Sequence, residues 1–175
     1  NAKTPLFHQL GEEFLLFLES EFSLLESDPK FLLELAHYEW VELALSVSEE
    51  IGLTVDDTQP IDLDLSYELS PLAWLLAYEW PVHQLAKSFQ PDEKPAETTT
   101  LLVYRMEDKQ GNERVDFMSL TPLLYQWLAK LPEFKSAKGA LLAVTENIEI
   151  DENMLFNFAK QTLQELQSLA IVKPL

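Results

Sequence analysis

The most constraining feature of the sequence is a change in apolar periodicity near residue 98. Residues 98–107 are rich in β-branched and aromatic side chains, and residues 113–118 resume an alternating pattern. The short segment between them contains Gly111. Two such segments around a glycine-containing turn predict a β-hairpin. The chain therefore cannot be purely helical and must hold at least one small antiparallel sheet.

Helical patterns dominate the rest of the second half. Three segments with helical spacing follow the hairpin, over residues 121–131, 137–146 and 151–169, and Thr121 and Asp151 are suited to cap the first and the third. Ile171 and Val172 predict a closing strand. Strands followed by three helices of unequal length are typical of a winged-helix or closely related domain. The predicted fold class is α+β and mostly helical, with a winged-helix-like second unit over residues 101–175.

Residues 1–90 predict a mainly helical first unit. Apolar residues recur at three- and four-residue spacing before Glu26, and Asp28-Pro29 starts a helix that runs to about Ser48. Two apolar faces are predicted on this second helix. One stripe, about as wide as a core-facing face, contains Leu33, Ala36, Trp40, Leu43, Ala44 and Val47, and the nearly opposite group contains Tyr38, Val41 and Leu45. Such a helix should be sandwiched, either within this unit or against a missing segment.

Two further segments are defined less sharply by their pattern. Residues 72–85 fit a helix or a strand, although Pro81 and the alternating aromatic residues favour an extended chain by Tyr78. Residues 91–100 contain two prolines and lack apolar periodicity, so they predict a linker between the two units.

The charge of the chain disfavours polyanionic partners. Twelve Lys and Arg against thirty Asp and Glu give a net charge of −18, which repels nucleic acid and anionic lipid at long range. Cysteine is absent, and no apolar run approaches the roughly 20 residues that span a bilayer. Without cysteine the sequence does not indicate a redox compartment, and the cytoplasm is the default expectation. Because the sequence opens on Asn1 without a lead-in, we also expect it to be the tail of a longer protein.

Catalytic patterns are weak in this sequence. The Glu34-x-x-His37 spacing occurs once, whereas di-iron bundles use it twice with two further glutamates. No Gly-x-Ser-x-Gly elbow or glycine-rich phosphate loop is present. The sequence accordingly predicts no enzyme, cofactor or metal site, and a carboxylate- and histidine-based metalloenzyme is its third interpretation.

Binding to DNA or to a peptide remains to be weighed. The long third helix carries only Lys160 as a base, so a DNA-binding regulator is the runner-up, its basic surface lying outside this chain. A small sheet beside a helix can instead add a guest strand at its edge. The predicted peptide site comprises Arg114, Val115 and Phe117 on the edge, with Phe156, Lys160 and Leu163 as the groove wall. The alternative is that the first unit covers this edge and the apolar residues are core.

Several stretches carry a family resemblance. ELAHYEWVELAL at Glu34–Leu45, preceded by Asp28-Pro29, resembles the central region of the HvfC/BufC-type proteins. TPLFHQLGEEFLLFL at the start, Trp80-Pro81-Val82-His83 and the LLVYR segment at Leu101–Arg105 resemble other parts of that family. Its amino-terminal domain, which carries the label of a DNA-binding domain, would lie almost wholly before Asn1.

The resemblance implies a role without catalysis. The family is implied to be the partner of an iron-dependent oxidase, which modifies cysteines of a ribosomally made precursor peptide in pathways linked to copper handling. The order of hairpin and three helices also resembles the PqqD-type fold, which takes a precursor's leader as an added strand. On this resemblance, Tyr38, Trp40 and Glu42 are expected at an interface with the oxidase, or else in the core. The sequence thus predicts a binding and scaffold protein that recruits a precursor peptide.

Overall fold

The computed structural model describes residue 25 and residues 27–56, 58–107 and 111–175. The helix predicted before Glu26 lies outside these residues. The described helices are α1 (Leu32–Val47), α2 (Pro122–Lys130), α3 (Ala137–Thr145) and α4 (Glu152–Ser168). The described strands are β1 (Tyr67–Leu69), β2 (Ala73–Tyr78), β3 (Thr99–Glu107), β4 (Glu113–Leu120) and β5 (Val172–Pro174). Short 3₁₀ turns cover Val82–Gln84 and Leu131–Glu133.

The predicted hairpin is confirmed and forms two thirds of a larger sheet. Strands β3 and β4 pair antiparallel, with Val103 opposite Phe117, and β2 adds to the other side of β3. Residues 73–78 are therefore a strand, which agrees with the expectation of an extended chain by Tyr78. A second, two-stranded sheet joins β1 to β5 and confirms the closing strand.

The predicted linker connects two strands of the same sheet. Strand β2 precedes residues 91–100 and β3 begins within them at Thr99. The first half of the chain thus contributes one strand to the sheet of the second half.

Local capping explains where the three later helices begin. The Thr121 side chain accepts a hydrogen bond from the Leu124 N–H, and the Asp151 side chain accepts one from the Met154 N–H. Ser136 caps α3 in the same way. Each side-chain oxygen satisfies an amide that the first helical turn leaves without a partner. The three predicted helices are confirmed, and with the hairpin they form the winged-helix-like unit of an α+β fold.

The three-stranded sheet is covered on both faces. Alternate residues of a strand point to opposite faces. Leu102 and Tyr104 face a core built by α2, α3 and α4, whereas Leu101 and Val103 face a smaller core built by α1. The sheet is consequently the middle layer of the described fold.

One of the two predicted apolar faces of α1 packs on the sheet. Tyr38, Val41 and Leu45 are buried in the smaller core. On the other apolar face, Leu43 and Val47 retain 38% and 45% exposure, while Trp40 packs partly buried beside Trp74 of β2. In the described residues, the sheet therefore covers one of the two predicted apolar faces fully and the other only at Trp40.

Candidate functional site

Strand β4 lies at an edge of the sheet, since β3 is its one strand partner among the described residues. The Arg105 N–H donates to the Leu72 carbonyl on the β2 side, at 2.9 Å. Because backbone groups alternate in direction along a strand, the neighbouring Tyr104 bonds to β4, where Asp116 is its register partner. The backbone groups of Val115 and Phe117 therefore point away from the sheet. This edge has the polarity that a guest strand would need.

A side-chain clasp occupies part of this edge. The Phe117 N–H donates to Asp116 Oδ1 at 2.9 Å. The other carboxylate oxygen, Oδ2, lies 2.9 Å from Arg114 Nη2. Arg114 and Asp116 alternate with Phe117, so their side chains lie on the sheet face covered by α2, α3 and α4. The Asp116 carboxylate thus links the outward N–H of Phe117 to the guanidinium of Arg114, and these three residues form the clasp.

The side chain of Phe117 lies on the α1 face of the sheet and remains 39% exposed. The ring of His83, from the 3₁₀ turn after β2, lies 5.4 Å from it between centroids. His83 Nδ1 is buried without a hydrogen-bond partner in the described part of the chain, and burial lowers the pKa of this imidazole. A neutral ring beside Phe117 makes this end of the edge mainly apolar.

The predicted groove wall on α4 is only partly at the surface. Leu163 is completely buried in the larger core, so it packs there and does not line a surface groove. Phe156 is half-buried, and Lys138 Nζ lies 5.0 Å from its ring centroid. Lys160 is exposed.

The expected interface residues on α1 are spread between core and surface. Tyr38 is 5% exposed, and its hydroxyl donates to Glu42 Oε1 at 2.8 Å. Trp40 is half-buried between the rings of His37 and Trp74, and its Nε1 is buried without a described partner. Tyr38 therefore holds α1 to the sheet rather than presenting itself to a partner.

The Glu34 and His37 pair is engaged with the end of β2. Glu34 accepts hydrogen bonds from the N–H groups of Glu79 and Trp80, at 3.0 and 2.9 Å. His37 Nδ1 lies 2.8 Å from the Tyr78 hydroxyl, whose pKa is raised by burial and by the Glu34 carboxylate. In the described ranges, no group of three or more candidate ligand side chains could hold a metal ion.

Removing this clamp should loosen α1 from the sheet. We expect Glu34→Ala to lower the free energy of unfolding by about 2 kcal/mol, since two amides lose a charged acceptor. Urea denaturation measures the change. Glu39→Ala, an exposed residue of the same helix, removes the same charge and should change stability by under about 0.5 kcal/mol. Equal effects of the two substitutions would contradict the assignment of Glu34 as a clamp.

Comparison with known protein families shows the family to which the chain belongs. The model of the HvfC C-terminal domain matches residues 70–167, from just before β2 to the last turn of α4. This is more than half of the chain. The chain belongs to the HvfC family. No curated protein matches the sequence.

The HvfC match confirms the resemblance of the chain to HvfC-type proteins. It covers the whole three-stranded sheet and the three following helices, including every residue of the predicted peptide site. The Glu34–Leu45 segment precedes the matched region, although its helix packs on the HvfC sheet.

Sequence reasoning missed two residues at the edge of β4, Asp116 and His83. The Arg-x-Asp spacing in an alternating segment was the available signal for Asp116, because residues two apart share a face of a strand. For His83 the available signal was the Trp80-Pro81-Val82-His83 resemblance, but its approach to Phe117 depends on how the chain turns after β2.

The described surface of this HvfC protein offers few free cations near the hairpin. Arg105 donates to the backbone carbonyls of Leu45, Ser48 and Glu50. Arg114 is paired with Asp116. A cleft of about 430 Å³ beside Arg105 is also lined by acidic residues of the hairpin. Phosphate groups would therefore meet few unpaired cations here that could offset their repulsion by the net charge of −18.

None of the helices within the described ranges combines the length and the apolar character needed to cross a membrane.

Proposed function

We propose that this HvfC-family protein is a non-catalytic scaffold that holds a precursor peptide for a partner oxidase. The peptide would add as a strand to the open side of β4, and the oxidase would carry out the modification. The observation that carries the proposal is the outward direction of the Val115 and Phe117 backbone groups at an edge strand. Main-chain hydrogen bonds at such an edge supply affinity, and neighbouring side-chain pockets supply selectivity.

Two further observations support a polypeptide guest. Phe117 and the His83 ring offer an apolar contact on one face of the edge, where alternate side chains of an added strand would lie. The net charge of −18 favours a neutral or basic peptide over nucleic acid. The likeness to PqqD-type domains in element order is consistent with this mode.

The oxidase is proposed to contact α1. Its outer face carries the exposed side chains of Leu43 and Val47, with Trp40 beside them. Apolar side chains in a group on an exposed helix are more typical of an interface than of a solvated surface. Tyr38 and Glu42 would support this helix from beneath through their hydrogen bond.

The edge can be tested with one substitution and a matched control. The probe is a fluorescent peptide synthesised from any short, cysteine-containing open reading frame that sequencing finds beside this gene. We expect Phe117→Pro to weaken binding about tenfold or more, because proline removes the outward N–H. Phe117→Ala loses the same ring but keeps the N–H, so it should bind more tightly than the proline variant. Fluorescence anisotropy measures both affinities.

Since the Phe117 N–H points away from β3, proline there should leave the ladder intact, which circular dichroism checks. Equal affinities of the proline and alanine variants would contradict strand addition. Saturable retention of the protein on duplex DNA, with a steep salt dependence, would favour a DNA-binding regulator instead.

A further inference from the structure

The clasp at the edge of β4 has a consequence for which peptides can bind. In the free protein, the Phe117 N–H is already occupied by Asp116 Oδ1. A guest strand needs the same N–H for one of its carbonyl groups. The carboxylate must therefore leave the amide before this part of the edge can pair.

The second oxygen determines how the carboxylate can leave. Arg114 Nη2 holds Oδ2 at 2.9 Å, so the Asp116 carboxylate can turn away from the amide while it keeps its cation. The Arg114 side chain is 61% exposed, and that of Asp116 is 36% exposed. A released Oδ1 would consequently face the solvent and any strand that adds beside β4.

We propose that Asp116 is a gate on the β4 edge that selects guest strands carrying a lysine or arginine beside the residue that pairs with Phe117. The cation of the guest can donate to the freed Oδ1 while Oδ2 stays on Arg114, so the carboxylate exchanges the Phe117 N–H for a charged donor. A neutral guest breaks the hydrogen bond between Phe117 and Asp116 without offering Asp116 a new charged donor. The proposal rests on the proposed function, because it concerns the selectivity of the same edge.

The same clasp should also hinder pairing of the open edge with a second copy of the chain. Natural edge strands often carry charged side chains that block edge-to-edge association. Asp116 satisfies the outward amide internally, so the free protein presents one fewer open donor at Phe117.

Two variants separate the effect of the Asp116 hydrogen bond from the effect of its charge. Asp116→Asn keeps an oxygen that can accept from the Phe117 N–H but removes the charge, whereas Asp116→Ala removes both. Amide hydrogen exchange of Phe117 in the free protein should be about tenfold faster in Asp116→Ala and changed much less in Asp116→Asn. Glu97→Gln, at an exposed site before β3, is the control for net charge.

Peptide binding then tests selectivity, with the synthetic peptide used above and a second one in which each lysine and arginine is replaced by norleucine or citrulline. The unmodified protein should prefer the basic peptide, and the Asp116 carboxylate should account for about two- to fivefold of that preference, as expected for one exposed charge pair. The preference should fall by this factor in Asp116→Asn but not in Glu97→Gln, and Asp116→Ala should bind the neutral peptide more tightly than the unmodified protein does.

Equal preference for the basic peptide in all variants would overturn the gate and leave strand addition in place. An unchanged Phe117 exchange rate in Asp116→Ala would also overturn it. If neither peptide binds the unmodified protein or any of its variants, the proposed function and the gate are both overturned.

Discussion

Replacing Trp127 by alanine is expected to lower the free energy of unfolding by about 3–5 kcal/mol, the range for large buried aromatic residues. Trp127 is fully buried at the centre of α2, in the larger core. Its Nε1 donates to the Ala137 carbonyl at 2.9 Å, which ties α2 to the first residue of α3. Alanine would leave both a cavity and a buried carbonyl without its donor.

Urea or thermal denaturation measures this loss, followed by circular dichroism because the substitution removes a fluorophore. Trp127→Phe is the matched control. It keeps much of the volume but not the N–H, so its cost should be smaller, about 1–3 kcal/mol. A loss below about 1 kcal/mol for Trp127→Ala would mean that the α2–α3 contact is not a main source of stability.

Arg105→Ala is expected to cost about 2–4 kcal/mol, since it removes a buried charged donor. The Arg105 side chain is only 10% exposed. Its Nη1 donates to the carbonyls of Leu45 and Ser48, and its Nη2 donates to that of Glu50. The guanidinium therefore caps the end of α1 from a neighbouring strand, where the helix has no basic residue of its own in the last turn. The nearby Glu113, at 3.8 Å and 59% exposed, adds little to this effect.

Two variants make the Arg105 prediction specific. Arg105→Lys keeps the charge, but its single ammonium group cannot reach all three carbonyls, so we expect an intermediate loss. Arg114→Ala removes the same charge from an exposed position of the hairpin and should cost less than about 0.5 kcal/mol. Chemical denaturation of the three variants under one condition compares them. Similar stabilities for Arg105→Ala and Arg114→Ala would show that capping by Arg105 contributes nothing.

The two large predictions concern opposite faces of one sheet. Trp127 holds the helices of the HvfC-matched region together, and Arg105 holds α1 to the strand beside the candidate edge. Loss of the first should affect the whole fold. Loss of the second should also disturb β4, because Arg105 lies opposite Val115 in the hairpin register.

The elements that the sequence determined by itself are the locally encoded ones. The hairpin of β3 and β4 follows from alternating residues around a glycine-containing turn, and α2 and α4 begin where Thr121 and Asp151 cap them. These signals act over a few residues, so they are legible without knowledge of the rest of the chain. The family resemblance was legible for the same reason, since it lies in short stretches of residues.

Tertiary structure decided the features that depend on which partner a segment meets. Helix α1 has two apolar faces, and packing on the sheet selected the one with Val41 and Leu45. Pairing with β3 made residues 73–78 a strand. The direction of the Phe117 amide and the clasp by Asp116 follow from the register of the sheet, which local periodicity does not specify. Burial and pairing are properties of two segments together, and for that reason no single stretch of sequence contains them.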